Sequence, residues 1–176
     1  LQGGGFLGFS SISETKQAAV ITKTVTQYQQ SDLKLAGEPL KRQVFKARVS
    51  APNREQLITS VDYEYETQAF PGYQASYYQI YANNVTKLWF GNNAARYDKR
   101  EMTTRTVDRF GNIQSETSHY SSALKRSGQY TQTTRYDYLS KGSHVSRFNY
   151  RITEQRGGVS PVTLTQYPNG LTRYCT

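Results

Sequence analysis

The sequence predicts an all-β fold, a curved antiparallel sheet of successive hairpins rather than a compact barrel, with residues 1–176 forming one segment. Three observations point to it. Apolar and aromatic residues recur at every second position, the period of a strand with one packed and one wet face. Gly, Pro and Asn punctuate the chain at short intervals. No stretch sustains a 3.6-residue period, so any helix is short.

The strands follow in order. Thr22 to Tyr28 alternates weakly. Val61 to Glu66 alternates strongly, with Val61, Tyr63 and Tyr65 on one face and Asp62, Glu64 and Glu66 on the other. Met102 to Val107 and Ile113 to Tyr120 form a pair around Phe110-Gly111-Asn112. From Tyr130 to Tyr138, the residues Tyr130, Gln132, Thr134, Tyr136 and Tyr138 oppose Thr131, Thr133, Arg135 and Asp137. Arg147 to Ile152 sets Phe148, Tyr150 and Ile152 against Arg147, Asn149 and Arg151, and Val162 to Tyr167 closes the series. Turns are expected at Ala36-Gly37-Glu38-Pro39, Ala51-Pro52-Asn53, Phe70-Pro71-Gly72, Gly91-Asn92-Asn93, Gly157-Gly158 and Pro168-Asn169-Gly170. Gln74 to Tyr81 is ambiguous, because Tyr77, Tyr78 and Tyr81 also suit a short helical stripe; the tyrosine content favours a strand. At the 108–112 turn, Gly111 is expected to supply a positive φ and Asp108 to accept backbone N–H bonds.

Composition predicts a thin core. Leu, Ile, Val and Phe supply 34 of 176 residues and mean hydropathy is −0.74. Aromatics reach 13%, however, with 15 Tyr, against the composition of disordered chains. Tyr and Thr are therefore expected to cover broad, partly wet sheet faces. The single Cys175 excludes a disulfide scaffold. No apolar run approaches the ~20 residues of a membrane helix. Leu1-Gln2-Gly3-Gly4-Gly5 carries no initiator Met and no leader pattern, and is expected to be a cut inside a longer chain.

Charge is uneven: residues 1–88 are net +2 and residues 89–176 net +7, within a total of +9. Acidic and basic residues are interspersed, as in Tyr97-Asp98-Lys99-Arg100-Glu101, which argues against nucleic acid as the partner. Glu64 and Glu66 share a face about 7 Å apart, a spacing used by paired glycosidase carboxylates, but alternating charge on a solvated face accounts for them. His119 and His144 stand without metal-ligand spacing. No nucleophile elbow, Walker loop or dinucleotide fingerprint occurs. Asn84-Val85-Thr86 is a glycosylation triplet of the kind that arises by chance. No catalytic residue, cofactor or metal ligand is assigned.

Two parts of the chain resemble known proteins. Gly3-Gly4-Gly5-Phe6-Leu7-Gly8-Phe9, a Thr-rich strand, Tyr28-Gln29-Gln30 and then Leu35-Ala36-Gly37-Glu38-Pro39-Leu40 resemble a segment of toxin-complex B components and SpvB-type virulence proteins. Thr106-Val107-Asp108-Arg109-Phe110-Gly111-Asn112-Ile113 resembles the Y-D-x-x-G-N element of RHS/YD repeats. Thr134-Arg135-Tyr136-Asp137-Tyr138 and Gly170-Leu171-Thr172-Arg173-Tyr174 look like further fragments. The motif residues are Gly5, Phe6, Leu7, Gly8, Phe9, Gly37, Pro39, Asp108, Phe110, Gly111, Asn112, Tyr136, Asp137, Asn169 and Gly170. Val107 replaces the usual Tyr, Cys175 stands where a repeat Asp would follow, and residues 45–100 match least.

The resemblance implies a non-catalytic piece of a bacterial toxin shell, in which strands spiral around a toxic polypeptide. It implies as partners the neighbouring repeats of the same parent chain, the enclosed toxin and other toxin-complex subunits. The implied location is secreted or cell-surface. The expected free edges are the strands near Ile21 to Tyr28 and Val162 to Tyr174. An extracellular adhesion or glycan-binding module is the competing expectation, with Trp89 beside Phe90 as its stacking platform.

Overall fold

The computed structural model describes residues 8–69, 78–91, 96–108, 111–123, 129–141 and 144–166. They form ten strands and, among the described residues, no helix. The strands are β1 (Ser11–Gln17), β2 (Val20–Tyr28), β3 (Pro39–Arg48), β4 (Ala51–Ala69) and β5 (Tyr78–Phe90). They continue with β6 (Tyr97–Val107), β7 (Ile113–Ser122), β8 (Tyr130–Lys141), β9 (His144–Arg156) and β10 (Val162–Gln166). Each pairs antiparallel with its sequence neighbours, so spatial order equals chain order and the sheet does not close into a barrel. This is the all-β sheet of successive hairpins that the period-2 pattern predicts.

Register carries the two faces across the sheet. Tyr63, Val85, Thr103, Ser118, Gln132 and Arg156 form one continuous cross-strand row from β4 to β9. The same face holds Tyr65, Trp89, Tyr120, Tyr130, Tyr136 and Tyr138, and is the aromatic face. On the opposite face Lys41, Asp62, Thr86, Met102, His119 and Thr131 form a row that is almost wholly polar. Hydroxyl ladders and ion pairs hold it: Thr117 Oγ1 lies 3.2 Å from Thr133 Oγ1, and Lys41 Nζ lies 3.0 Å from Asp62 Oδ1. Such cross-strand pairs contribute a few tenths of a kcal/mol to about 1 kcal/mol each.

With one layer there is no interior. Ala47 is the only buried apolar residue among those described, and no large side chain is fully buried. Ser60, Thr103 and Ser118 are buried instead, and the Thr103 and Ser118 hydroxyls bond each other at 2.9 Å. The accessible surface of 12922 Å² exceeds the roughly 8,700 Å² expected of a compact protein of this mass.

Two expectations need correction. Ala51-Pro52-Asn53 is not the turn. The chain reverses at Val49 and Ser50, and Ala51 already pairs with Arg48. The ladder then skips from Arg48–Ala51 to Lys46–Gln56, so Pro52 sits where the register shifts and its missing N–H costs no ladder bond. The strand 20–28 is not an edge, because β1, seven exposed residues with little apolar signal, covers it. Tyr78 and Tyr81 belong to strand β5, as the tyrosine content favours, whereas Gln74 to Tyr77 lie outside the described residues. Among described residues β10 is the other edge.

Candidate functional site

Five of the motif residues, Gly37, Pro39, Asp108, Gly111 and Asn112, lie at two turns of the same construction. At the first, between β2 and β3, the Gly37 N–H donates to the Gln29 carbonyl at 3.1 Å, and the Gln29 N–H donates to the Glu38 carbonyl at 2.9 Å. At the second, between β6 and β7, the Gly111 N–H donates to the Asp108 carbonyl at 3.0 Å, and the Asp108 N–H donates to the Asn112 carbonyl at 2.9 Å. In both, the glycine bonds the last residue before the loop, and that residue bonds back to the one after the glycine. Loop length differs, from Gln30–Ala36 in one to residues 109–110 in the other, but the closure does not.

The glycines have φ of 87° at Gly37 and 85° at Gly111, as expected of Gly111, a region that residues with a Cβ rarely enter. Side chains finish each turn differently. Asp108 accepts the Asn112 N–H on Oδ1 at 2.9 Å and the Asn112 Nδ2 on Oδ2 at 3.0 Å. At the first turn Gln29 Oε1 takes the Gln30 N–H at 3.1 Å and the Ser31 hydroxyl at 3.1 Å.

The likeness extends into the strands. The residue three beyond each glycine is a bulge: Tyr28–Pro39 gives way to Gln27–Lys41, and Val107–Ile113 to Thr106–Ser115. A tyrosine then returns to close the turn. The Tyr65 hydroxyl donates to the Pro39 carbonyl at 2.9 Å, and the Tyr138 hydroxyl donates to the Ile113 carbonyl at 2.9 Å. Each acceptor is two residues past its glycine. Each donor is three residues past the last described ladder partner, Asp62 on β4 and Arg135 on β8. Tyr63-Glu64-Tyr65 and Tyr136-Asp137-Tyr138 therefore hold equivalent places, and the β2–β3 and β6–β7 turns are closed in the same way.

Burial raises the Tyr65 hydroxyl to about 12, helped by the charge of Glu38 and the neighbouring Tyr63 ring, which stacks at 6.4 Å. Burial likewise raises Tyr138, then Asp108 and Tyr136. Both phenols stay protonated and can donate through the physiological range. Tyr136 lies on the aromatic face, raised chiefly by burial. Asp137 points to the other face and pairs with Arg151 at 2.6 Å.

Elsewhere the motif residues do not converge. Gly8, with φ 88°, and the exposed Phe9 lie ahead of β1, where the Phe9 carbonyl accepts from Gln30 Nε2 at 3.3 Å. Gly5, Phe6, Leu7, Phe110, Asn169 and Gly170 lie outside the described residues. Glu64 and Glu66 share a face as the alternation requires, but each is engaged by a neighbour: Asn84 Nδ2 at 3.0 Å and the Tyr81 hydroxyl at 2.6 Å. Lys87 Nζ sits 4.7 Å over the Trp89 ring. His119 Nδ1 lies 2.9 Å from Thr131 Oγ1, and no cluster of three metal-ligating side chains occurs among the described residues. No helix there is long and apolar enough to cross a membrane.

Reading the sequence missed Tyr65, Ile113 and Gln29 as parts of the turns. The signal was present as Gly-x-Pro or Gly-x-Ile followed some 25 residues later by Tyr-acid-Tyr. Comparison with protein-family models, with curated proteins and with solved structures found no match.

Proposed function

We propose that this chain is a non-catalytic structural segment of an RHS-type toxin shell, one stretch of wall that encloses a toxic polypeptide. The observation that supports this most is the repetition of one turn unit in a single-layer sheet. A wall that must be extended strand by strand needs a unit that fixes each hairpin without a core of its own. The Gly37–Tyr65 and Gly111–Tyr138 units do this through backbone closure and one tyrosine bond. The resemblance of Asp108, Gly111 and Asn112 to the repeat element agrees with it.

In this reading the chain is secreted or held at a bacterial cell surface. Its partners are the neighbouring repeats of its parent, the enclosed polypeptide and other toxin-complex subunits. The test is deletion of residues 102–120 in the full-length parent. That removes most of β6 and β7 with the second turn and should open the wall. A downstream polypeptide resistant to protease should become digestible while its activity after purification is unchanged. Protection that survives the deletion would overturn the reading and favour an external adhesion module.

A further inference from the structure

At the sheet end opposite Gly37 and Gly111, beside the reversal at Val49 and Ser50, a cavity of about 330 Å³ opens on the aromatic face. Lys46, Arg48 and Arg54 line it, and no carboxylate does. Register explains the convergence. Lys46 pairs with Thr22 and Gln56, and Arg48 with Val20 and Ala51, so their side chains leave the same face. Lys16 continues that row across Thr22 as a fourth cation. Glu55, the nearest carboxylate in sequence, is turned away and held by Lys23 Nζ at 3.0 Å. The three lining cations are exposed, and none takes part in the ion pairs found among the described residues.

Like charges held together on a sheet repel, and counter-charge from a ligand relieves that repulsion. Their arrangement narrows the ligand. Lys46 and Arg48, alternate residues of β3, stand about 7 Å apart, and Lys16, with Thr22 between, lies two strand spacings (~9.6 Å) from Lys46, a spread array rather than one tight cradle. Arginine forks match oxyanions with two parallel bonds. No aromatic ring lines the cavity, so it offers no platform on which a nucleic-acid base would stack. We propose that this face binds a linear polyanion carrying sulfate groups, a sulfated glycan, across Lys46, Arg48 and Arg54. This site is separate from the turns and does not depend on the shell reading.

The test is calorimetric titration of the 176-residue chain with a heparin-derived hexasaccharide at low salt. Binding should weaken steeply as salt is raised, because exposed charges are screened. The triple variant K46A/R48A/R54A should lose about tenfold or more in affinity, and the triple variant R96A/R100A/R135A, with the same loss of charge, should lose less than about threefold. The desulfated hexasaccharide should not bind, and single-stranded DNA of equal charge should bind more weakly. Arg54→Glu serves if the triple variant fails to fold, with a loss of several-fold expected. The proposal is overturned by absent binding at low salt, by equal losses in both triples, by an unaffected site variant, or by tighter binding of DNA.

Discussion

The Tyr138 hydroxyl lies 2.9 Å from the Ile113 carbonyl oxygen, joining residues 25 apart in sequence at the point where β7 leaves its turn. Beyond the Ser115–Arg135 pair no described β8 residue pairs with β7, so this phenol provides a hydrogen bond where the ladder has stopped. Tyr65 does the same for Pro39, whose ring nitrogen has no hydrogen to donate and whose carbonyl still requires a partner.

Removing either hydroxyl should therefore weaken the sheet. Tyr138→Phe and Tyr65→Phe are each expected to cost about 1 kcal/mol, the usual net value of one such bond. Tyr130→Phe, at a half-exposed ring, should cost clearly less. Because the two bonds share no partner, the double variant should show an additive loss. Urea unfolding of the parent and the four variants measures this, and losses below that of Tyr130→Phe would remove the tyrosines from the turn unit.

Backbone strain at the glycines gives a second expectation. Gly111→Val and Gly37→Val should each destabilise by more than ~1 kcal/mol, since φ near +85° is unfavourable for a β-branched residue. Gly111→Val should be the worse of the two. Its Cβ would meet the Gln79 side-chain amide, whereas nothing stands near a Cβ at Gly37. Asn112→Ala should do less than Gly111→Val. Thermal melting ranks the three, and unchanged midpoints for both glycine variants would place those residues in unstrained backbone.

Alkaline pH should act on the same tyrosines. The Tyr65 hydroxyl is raised from 10.0 to about 12 by burial, and Tyr81 from 10.0 to about 12 by its bond to Glu66 and burial. The folded state thus holds these protons more tightly than the unfolded chain. The stability this gives is fully present below pH 10 and is lost as pH rises towards 12. Unfolding free energies measured between pH 9 and pH 12 should fall less steeply for the double variant Y65F/Y81F than for the parent. Parallel curves would contradict the assignment.

The strands that were legible are those whose alternation survives intact, such as Val61 to Glu66 and Tyr130 to Tyr138. Both keep their faces throughout the register. Strand β3 was not legible, because Val44 and Phe45 are adjacent and serve opposite faces, leaving a doublet instead of an alternation. In β5 the bulge at Asn83 shifts the phase, so Val85 and Ala82 share a face although three residues apart. The turn glycines could be read locally because positive φ is a demand on one residue. The tyrosine closures could not, because they join segments 25 and 26 residues apart, and only the register brings them together.

The two edges of the described sheet differ in a way that predicts association. Strand β1 carries Glu14 and Lys16, the kind of charge that discourages pairing with another chain. Strand β10 carries none, and its Val162 and Leu164 are 60% and 55% exposed. An apolar edge with unpaired backbone groups recruits strands, so the 176-residue chain should self-associate as its concentration rises. Val162→Lys should suppress that association without altering the far-UV spectrum, because Val162 pairs with Glu154 and a lysine there faces an opposite charge across the ladder. Ile12→Lys on the already charged β1 edge should have little effect. Light scattering over a concentration series decides between them: equal suppression by both variants would mean that association is not carried by the β10 edge.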